Sequence, residues 1–158
     1  MGKKLNKTFS TLSTETLIEA LRSFNVWRIS MHDKGLNDNV GAIHSAERIA
    51  ELLSLKVAYP GLTHINKLRD YHGAVFSKKA KAVHKKNGKV EIEHVFPKRA
   101  YTIALLNKLS KIEDKIKIEK WIKRNFKLVL LTPLERANLD KVNRTKMRPD
   151  RLNDIDFG

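Results

Sequence analysis

Two adjacent patterns near residue 130 constrain the fold more than any other feature of the sequence. Leu128-Val129-Leu130-Leu131 is a short apolar run, which predicts a buried β-strand. Thr132-Pro133-Leu134-Glu135 follows directly and is typical of a capping box, with proline at the first helical position, where its missing N–H costs nothing. The two patterns therefore predict a strand that leads straight into a helix running from Pro133 to about Asn143.

A partner strand is predicted upstream of this one. Val90-Glu91-Ile92-Glu93 alternates apolar and charged residues after an Asn87-Gly88 turn, as half-buried strands do. Two helices are predicted between the strands, one from Tyr101 to Leu109 and one that begins at the capping-box pattern Ser110-Lys111-Ile112-Glu113. The predicted order is therefore strand, helical insert, strand and capped helix.

The first half of the chain is predicted to be helical. Ser13 provides an N-cap before Leu17, Ile18 and Leu21, and similar apolar spacing continues downstream. The lysine-rich segment 77–89 is open to two interpretations, a solvated linker or a phosphate-binding arm. We therefore expect an α+β protein, with a helical region over residues 1–76, a basic linker over 77–89 and a second module over 90–158.

The charge of the chain indicates the class of partner. Its 158 residues include 32 Lys and Arg against 17 Asp and Glu, a formal net charge of +15. A nucleic acid is the leading explanation, because each phosphate that a lysine or arginine neutralises releases counterions. An anionic membrane surface is the second explanation and an acidic protein the third.

Cysteine content and hydropathy exclude several other classes of protein. No cysteine is present, so disulfides and thiolate zinc sites are excluded. No apolar run is long enough to span a membrane, and the basic start Met1-Gly2-Lys3-Lys4 is not followed by the apolar stretch of a secretion signal. We therefore expect no membrane partner and a cytoplasmic location.

The residues around His94 carry a recognisable motif. Glu93-His94-Val95-Phe96-Pro97 closes the first predicted strand, and a Thr-x-x-Glu-x-x-Asn-x-x-Lys pattern follows the second. This combination resembles the HNH endonucleases, also called ββα-metal nucleases, over residues 88 to about 146. It is most similar to the branch that has a Glu-His-Val/Ile-x-Pro motif and lacks structural zinc. The resemblance implies a ββα-metal finger with a helical insert between its strands.

The resemblance also implies a set of chemical roles. His94 would be the general base that activates the attacking water, because an imidazole can accept a proton near neutral pH. Glu93 and Asn138 would be the ligands of one divalent ion, typically Mg²⁺, with Mn²⁺ as a substitute. Carboxylate and amide oxygens are the hard ligands that such an ion takes.

Helix geometry separates two candidates for the second ligand. At 100° per residue, with Leu134 taken as the centre of the apolar sector, Asn138 lies about 40° and Arg136 about 200° away. We therefore expect Asn138 to face the strands and Arg136 to point outward.

Further residues are expected to support the site. The family usually places an asparagine just before the second strand, where it pins the loop that bears the histidine. Here Lys127 occupies that position, and Asn125 is the candidate substitute. The residues expected to bind phosphates or nucleic acid are Lys98, Arg99, Lys141, Arg144 and Lys146.

The expected activity is endonucleolytic hydrolysis of phosphodiester bonds. Double-stranded DNA is the expected substrate, and a restriction or other defence role suits a small chain of this kind. Two alternatives stay open: a ribonuclease on the same scaffold, and a non-catalytic nucleic-acid-binding protein. Because many HNH enzymes cut as homodimers, a homodimer is expected, and DNA recognition is expected in residues 1–76.

Overall fold

A computed structural model describes residues 11–139, 147 and 150–158. The chain is an α+β protein in which helices surround one small sheet. The helices and strands of the described part follow in this order: α1 Thr14–His32, α2 His44–Ala58, α3 Lys78–Lys85, β1 Glu91–His94, α4 Lys98–Lys111, α5 Lys115–Asn125, β2 Leu128–Leu131 and α6 Pro133–Leu139. Short 3₁₀ turns at Asp38–Val40 and Ile65–Asp70 connect the N-terminal helices.

The predicted strands pair with each other as an antiparallel sheet. Glu91 lies opposite Leu131, and His94 lies opposite Leu128. The predicted capping box at the start of α6 is confirmed: the Thr132 hydroxyl accepts from the Glu135 N–H at 3.2 Å, and the Glu135 carboxylate accepts from the Thr132 N–H at 2.9 Å. The order of strand, helical insert, strand and capped helix is thus present.

The two faces of the hairpin contact different apolar clusters. Leu128 and Leu130 belong to the main core, which also contains Leu17 and Leu53 from the N-terminal helices. That core therefore runs continuously across the boundary expected at residue 76. Val129 and Leu131 point the other way, because neighbouring side chains in a strand alternate between faces. They belong to a smaller cluster completed by Leu139 of α6 and Leu152.

One predicted boundary within the insert is wrong. Ser110 does not start a helix: it lies inside α4, where its hydroxyl donates to the Asn107 carbonyl at 2.7 Å. The N-cap of α5 is Asp114, whose carboxylate accepts from the Ile116 N–H at 2.9 Å. A serine in the last turn of a helix can bond back to its own helix, which a capping pattern alone does not reveal.

The segment expected to be a basic linker is largely folded. Helix α3 occupies residues 78–85, and Ser77 caps it by accepting from the Ala80 N–H at 3.0 Å. Ala80 is fully buried, and the preceding Phe76 forms a parallel bridge with Leu130. The lysines of this segment are therefore displayed on a helix that packs beside β2. None of the helices in the described ranges is long and apolar enough to cross a membrane.

Candidate functional site around His94

His94 is the last residue of β1 and faces the N-terminal helices. It lies opposite Leu128, and its ring meets the ring of Phe126 edge-on, with 5.9 Å between centroids. Its Nε2 lies 3.1 Å from Oε1 of Glu51, which belongs to α2. The two side chains are 22% and 15% exposed, so the pair is shielded from solvent but within reach of it.

Glu51 is ionised at neutral pH in this setting. Burial alone would raise its pKa, but the hydrogen bond from His94 and the positive charge of Lys98 outweigh burial and lower the pKa to about 2. An ionised carboxylate can only accept hydrogen bonds, so the nitrogen that faces it carries the proton. Within the described ranges no group bonds to Nδ1 of His94, and this nitrogen is left with its lone pair in the neutral imidazole.

Sequence reasoning missed Glu51. It lies 43 residues before His94, and nothing in the His94 motif points to it. A weaker signal was present on α2 itself, where Glu47 and Glu51 are one helical turn apart in a strongly basic chain. Two acidic residues on one face of a helix that also buries Ala50 and Leu53 are positioned to meet cations from the rest of the fold.

Lys98 and Arg99, expected to bind phosphates, have carboxylate partners on α2. Lys98 Nζ lies 3.2 Å from Glu51, and Arg99 Nε lies 3.2 Å from Glu47. Their side chains are about 40% exposed, so both remain in contact with solvent. Each charge is already offset by an acidic neighbour, and a phosphate at either residue would have to compete with that neighbour.

Glu93 lies on the opposite face of the hairpin from His94. Its carboxylate accepts from Arg136 Nε at 3.1 Å and from Arg151 Nη1 at 3.1 Å. Arg151 Nη1 also donates to the backbone carbonyl of His94 at 2.7 Å. Glu93 is 9% exposed and Arg151 7%, so this is a buried carboxylate held by two guanidinium groups.

The expected orientation of α6 is wrong. Leu134, taken as the centre of the apolar sector, is 71% exposed, whereas Leu139 is the buried apolar residue of the helix. Measured from Leu139, Arg136 lies only about 60° away, so it faces the strands. It contacts both Glu93 and Glu91, the latter at 3.0 Å from Nη1. Arg136 therefore occupies the position that was expected for Asn138.

Asn138 is exposed and lines a cavity beside α6. This cavity, of about 650 Å³, lies between α3, α6 and the C-terminal residues, and its walls include Lys78, Lys79, Arg151 and Asp154. No hydrogen bond joins Asn138 to Glu93 among the residues that the structure describes. Arg151, which binds Glu93, lines the same cavity as Asn138.

The Glu93 carboxylate already has two arginine partners. A hard cation needs several oxygen ligands, yet both oxygens of this carboxylate already accept from arginine. No cluster of three or more histidine, aspartate or glutamate side chains suited to a metal occurs in the described part of the chain. An ion at Glu93 would have to compete with Arg136 and Arg151 for these oxygens.

The loop after His94 is pinned by the main chain of Lys127. The Val95 N–H donates to the Lys127 carbonyl at 2.9 Å, which extends the pairing of the two strands by one step. Asn125 does not take the expected pinning role, because its amide donates to the Trp121 carbonyl within its own helix. The expected phosphate ligands Lys141, Arg144 and Lys146 lie outside the described residues.

Comparison of the chain with models of protein families, with curated proteins and with solved structures found no match.

Proposed function

We propose that this chain is an endonuclease that hydrolyses phosphodiester bonds in nucleic acid, with DNA as the first substrate to test. The observation that carries the proposal is the contact between His94 and Glu51. A histidine held by an ionised carboxylate through one nitrogen, with the other nitrogen unbonded, is the arrangement that general-base catalysis uses. The high positive charge of the chain supports a polyanionic substrate.

The proposed reaction uses His94 as the proton acceptor. Nδ1 takes a proton from a water molecule, and the water oxygen attacks phosphorus. The bond between phosphorus and the leaving 3′ oxygen breaks, and that oxygen ends with a proton taken from solvent. Glu51 keeps the ring in one orientation and stabilises the imidazolium that forms.

The resemblance to HNH enzymes implies that Mg²⁺, or Mn²⁺ in its place, would stabilise charge on the phosphate. Because Glu93 is held by two guanidinium groups, we assign no step of the reaction to an ion at that residue. Metal dependence is therefore an experimental question, to be answered by adding Mg²⁺ or Mn²⁺ to the reaction and by removing it with EDTA.

The test is cleavage of plasmid DNA and of a structured RNA by the purified chain and by His94→Ala. Loss of a general base lowers the rate by about 10²- to 10⁴-fold, and DNA binding should persist. His44→Ala is the matched control, because His44 is exposed and lies outside the His94 contact. Cleavage by His94→Ala at the wild-type rate would rule out the proposed role of this residue.

A second candidate function is non-catalytic binding of nucleic acid. It is favoured by one observation, the pairing of Glu93 with Arg136 and Arg151, which leaves that carboxylate no unpaired oxygen for an ion. A wild-type chain that binds DNA but cuts neither DNA nor RNA with any divalent ion would establish this function in place of the first.

A further inference from the structure

A second recess lies at the start of α3. Its volume is about 620 Å³, and the residues that matter for its chemistry are Tyr71, His72, Phe76, Lys78, Lys81 and Phe157. We call it the aromatic recess. It exists because the Lys78 N–H donates to the Asp156 carbonyl at 2.8 Å, which fastens the C-terminal residues beside α3.

Aromatic rings form part of the walls. The rings of Tyr71 and His72 are 4.4 Å apart between centroids and inclined by 38°. The Tyr71 side chain is anchored by its hydroxyl, which donates to the Pro60 carbonyl at 2.9 Å. His72 is exposed, and Phe157 is 37% exposed. The recess therefore presents exposed aromatic side chains to solvent, one of them packed on the anchored ring of Tyr71.

Lysines form the rim of the recess. Residues 71 to 90 contain six lysines and no acidic residue. At 100° per residue, Lys78, Lys81 and Lys85 fall within about 60° of one another on α3, so they share one face. Lys78 has a distant carboxylate neighbour, Asp156, at 3.9 Å. Lys81 and Lys85 are exposed and have no ion pair among the residues that the structure describes.

Aromatic ring faces beside lysines that lack an ion pair in the described ranges suit a nucleotide whose base is not base-paired. Proteins that bind single strands stack bases on aromatic side chains and hold the backbone with a basic surface. A base inside a duplex presents only its edges, so stacking requires an unpaired or extruded base. Lys81 and Lys85 are one helical turn apart, about 6 Å along α3, which allows them to meet neighbouring phosphates of one strand.

We propose that the aromatic recess binds an unpaired base of a single-stranded nucleic-acid segment. The base stacks on His72 and Phe157, and its flanking phosphates lie on Lys81 and Lys85. This inference rests on the proposed function only for the choice of nucleic acid as partner. It adds that the chain holds a single strand at α3. Lys78 lines both the aromatic recess and the cavity that extends to Arg151, so the two are adjacent.

The experiment measures binding without cleavage. A short fluorescent oligothymidine is titrated with protein in EDTA, and its anisotropy gives the dissociation constant at several salt concentrations. A duplex of the same length and inorganic polyphosphate serve as competitors. Two double variants are compared with wild type, His72→Ala with Phe157→Ala and Lys81→Glu with Lys85→Glu. Lys117→Glu with Lys120→Glu on α5 is the control, because these exposed lysines undergo the same change of charge.

The expected results differ between the two variants. Loss of both rings should weaken oligothymidine binding by roughly tenfold or more, without changing its salt dependence or the binding of polyphosphate. The α3 lysine variant should weaken binding further than the α5 control does. Its plot of log affinity against log salt should also become shallower, by about 0.7 for each lost phosphate contact.

Three results would overturn the inference. The first is oligothymidine binding by the ring variant that equals wild type. The second is a loss in the α5 control as large as that in the α3 variant. The third is a duplex that competes as well as the single strand. Circular dichroism checks that each variant is folded, and His72→Ala alone replaces the ring variant if that variant is not. Absence of cleavage in a separate assay with divalent ions would count against the proposed activity alone.

Discussion

The two faces of strand β1 give the adjacent ionisable residues Glu93 and His94 different hydrogen-bond partners. On one face, His94 meets a single carboxylate, Glu51, and keeps one ring nitrogen unbonded within the described residues. On the other face, Glu93 contacts two guanidinium groups, and each of its carboxylate oxygens accepts a hydrogen bond from one of them. Two residues that are adjacent in a motif can therefore differ in their partners, because neighbouring side chains of a strand point to opposite faces.

The ion pairs on the two faces of β1 also differ in how deeply they are buried. Glu93 and Arg151 are both nearly buried, and a buried ion pair is worth keeping only when each charge has partners. Arg151 satisfies Glu93 and the His94 carbonyl, yet its Nε is buried without a partner in the described part of the chain. The Glu51 face is more open, because Lys98 is 40% exposed and solvent screens its charge.

The largest expected effect comes from removing Arg151. Arg151→Met leaves the buried Glu93 with one partner, and breaking a buried pair from one side costs about 3–5 kcal/mol. The free energy of unfolding from urea titrations checks this value. Arg136→Met is the matched control: its side chain is 45% exposed and binds the same carboxylate, so it should cost about 1 kcal/mol or less. Equal losses of unfolding free energy in the two variants would show that Arg151 stabilises Glu93 no more than the exposed Arg136 does.

The orientation of α6 gives the next largest effect. Leu139→Ala removes a buried side chain from the cluster with Val129 and Leu131 and should cost about 2–5 kcal/mol. Leu134→Ala and Asn138→Ala change exposed positions and should each stay within about 0.5 kcal/mol. If Leu134→Ala proved the more costly leucine variant in the same urea titrations, α6 would instead present Asn138 to the strands.

The His94 face predicts a smaller, pH-dependent effect. The Glu51 carboxyl has a pKa of about 2 in the folded chain, against an ordinary value of 4.5. Between these values the unfolded chain binds a proton that the folded chain does not, so stability rises with pH. This contribution is complete above about pH 4.5 and is lost as the pH falls towards 2.

Urea midpoints measured from acid to neutral pH test the Glu51 contribution. Glu51→Gln should flatten the rise of stability with pH, whereas the exposed Glu113→Gln should keep the wild-type slope. A Glu51→Gln curve parallel to wild type would mean that the carboxylate does not stabilise the folded chain through His94 and Lys98.

Local features were predictable from the sequence, and long-range ones were not. The Thr132–Glu135 capping box and the presence of strand β1 depend on residues a few positions apart, so their patterns predicted them correctly. The half-buried pattern expected of β1 is wrong, because its buried residue is the charged Glu93. The orientation of α6 depends on the cluster that Leu139 joins with Val129, Leu131 and Leu152, and no pattern within α6 reveals that cluster. Glu51 and Arg151 reach β1 from distant parts of the chain, and both lie outside the motif that singled out His94.

The surroundings of the basic side chains also could not be predicted from the sequence. Lys98 and Arg99 were expected from the sequence to bind phosphates. Pairing with Glu51 and Glu47 required the position of α2, which the sequence did not provide. The lysines of α3 were interpreted either as a linker or as a phosphate-binding arm. Their helix, with Ala80 buried beside β2, presents them to solvent in one fixed arrangement.

The tautomer of His94 is the most direct test of the proposed role of this residue. Long-range ¹H–¹⁵N correlation spectra of the ¹⁵N-labelled chain at pH 8, compared with His94→Ala for assignment, report which ring nitrogen carries the proton. The contact with Glu51 predicts a protonated Nε2 and an Nδ1 that bears only its lone pair. A proton on Nδ1 at that pH would leave His94 without the free nitrogen that a general base requires and would contradict the proposal.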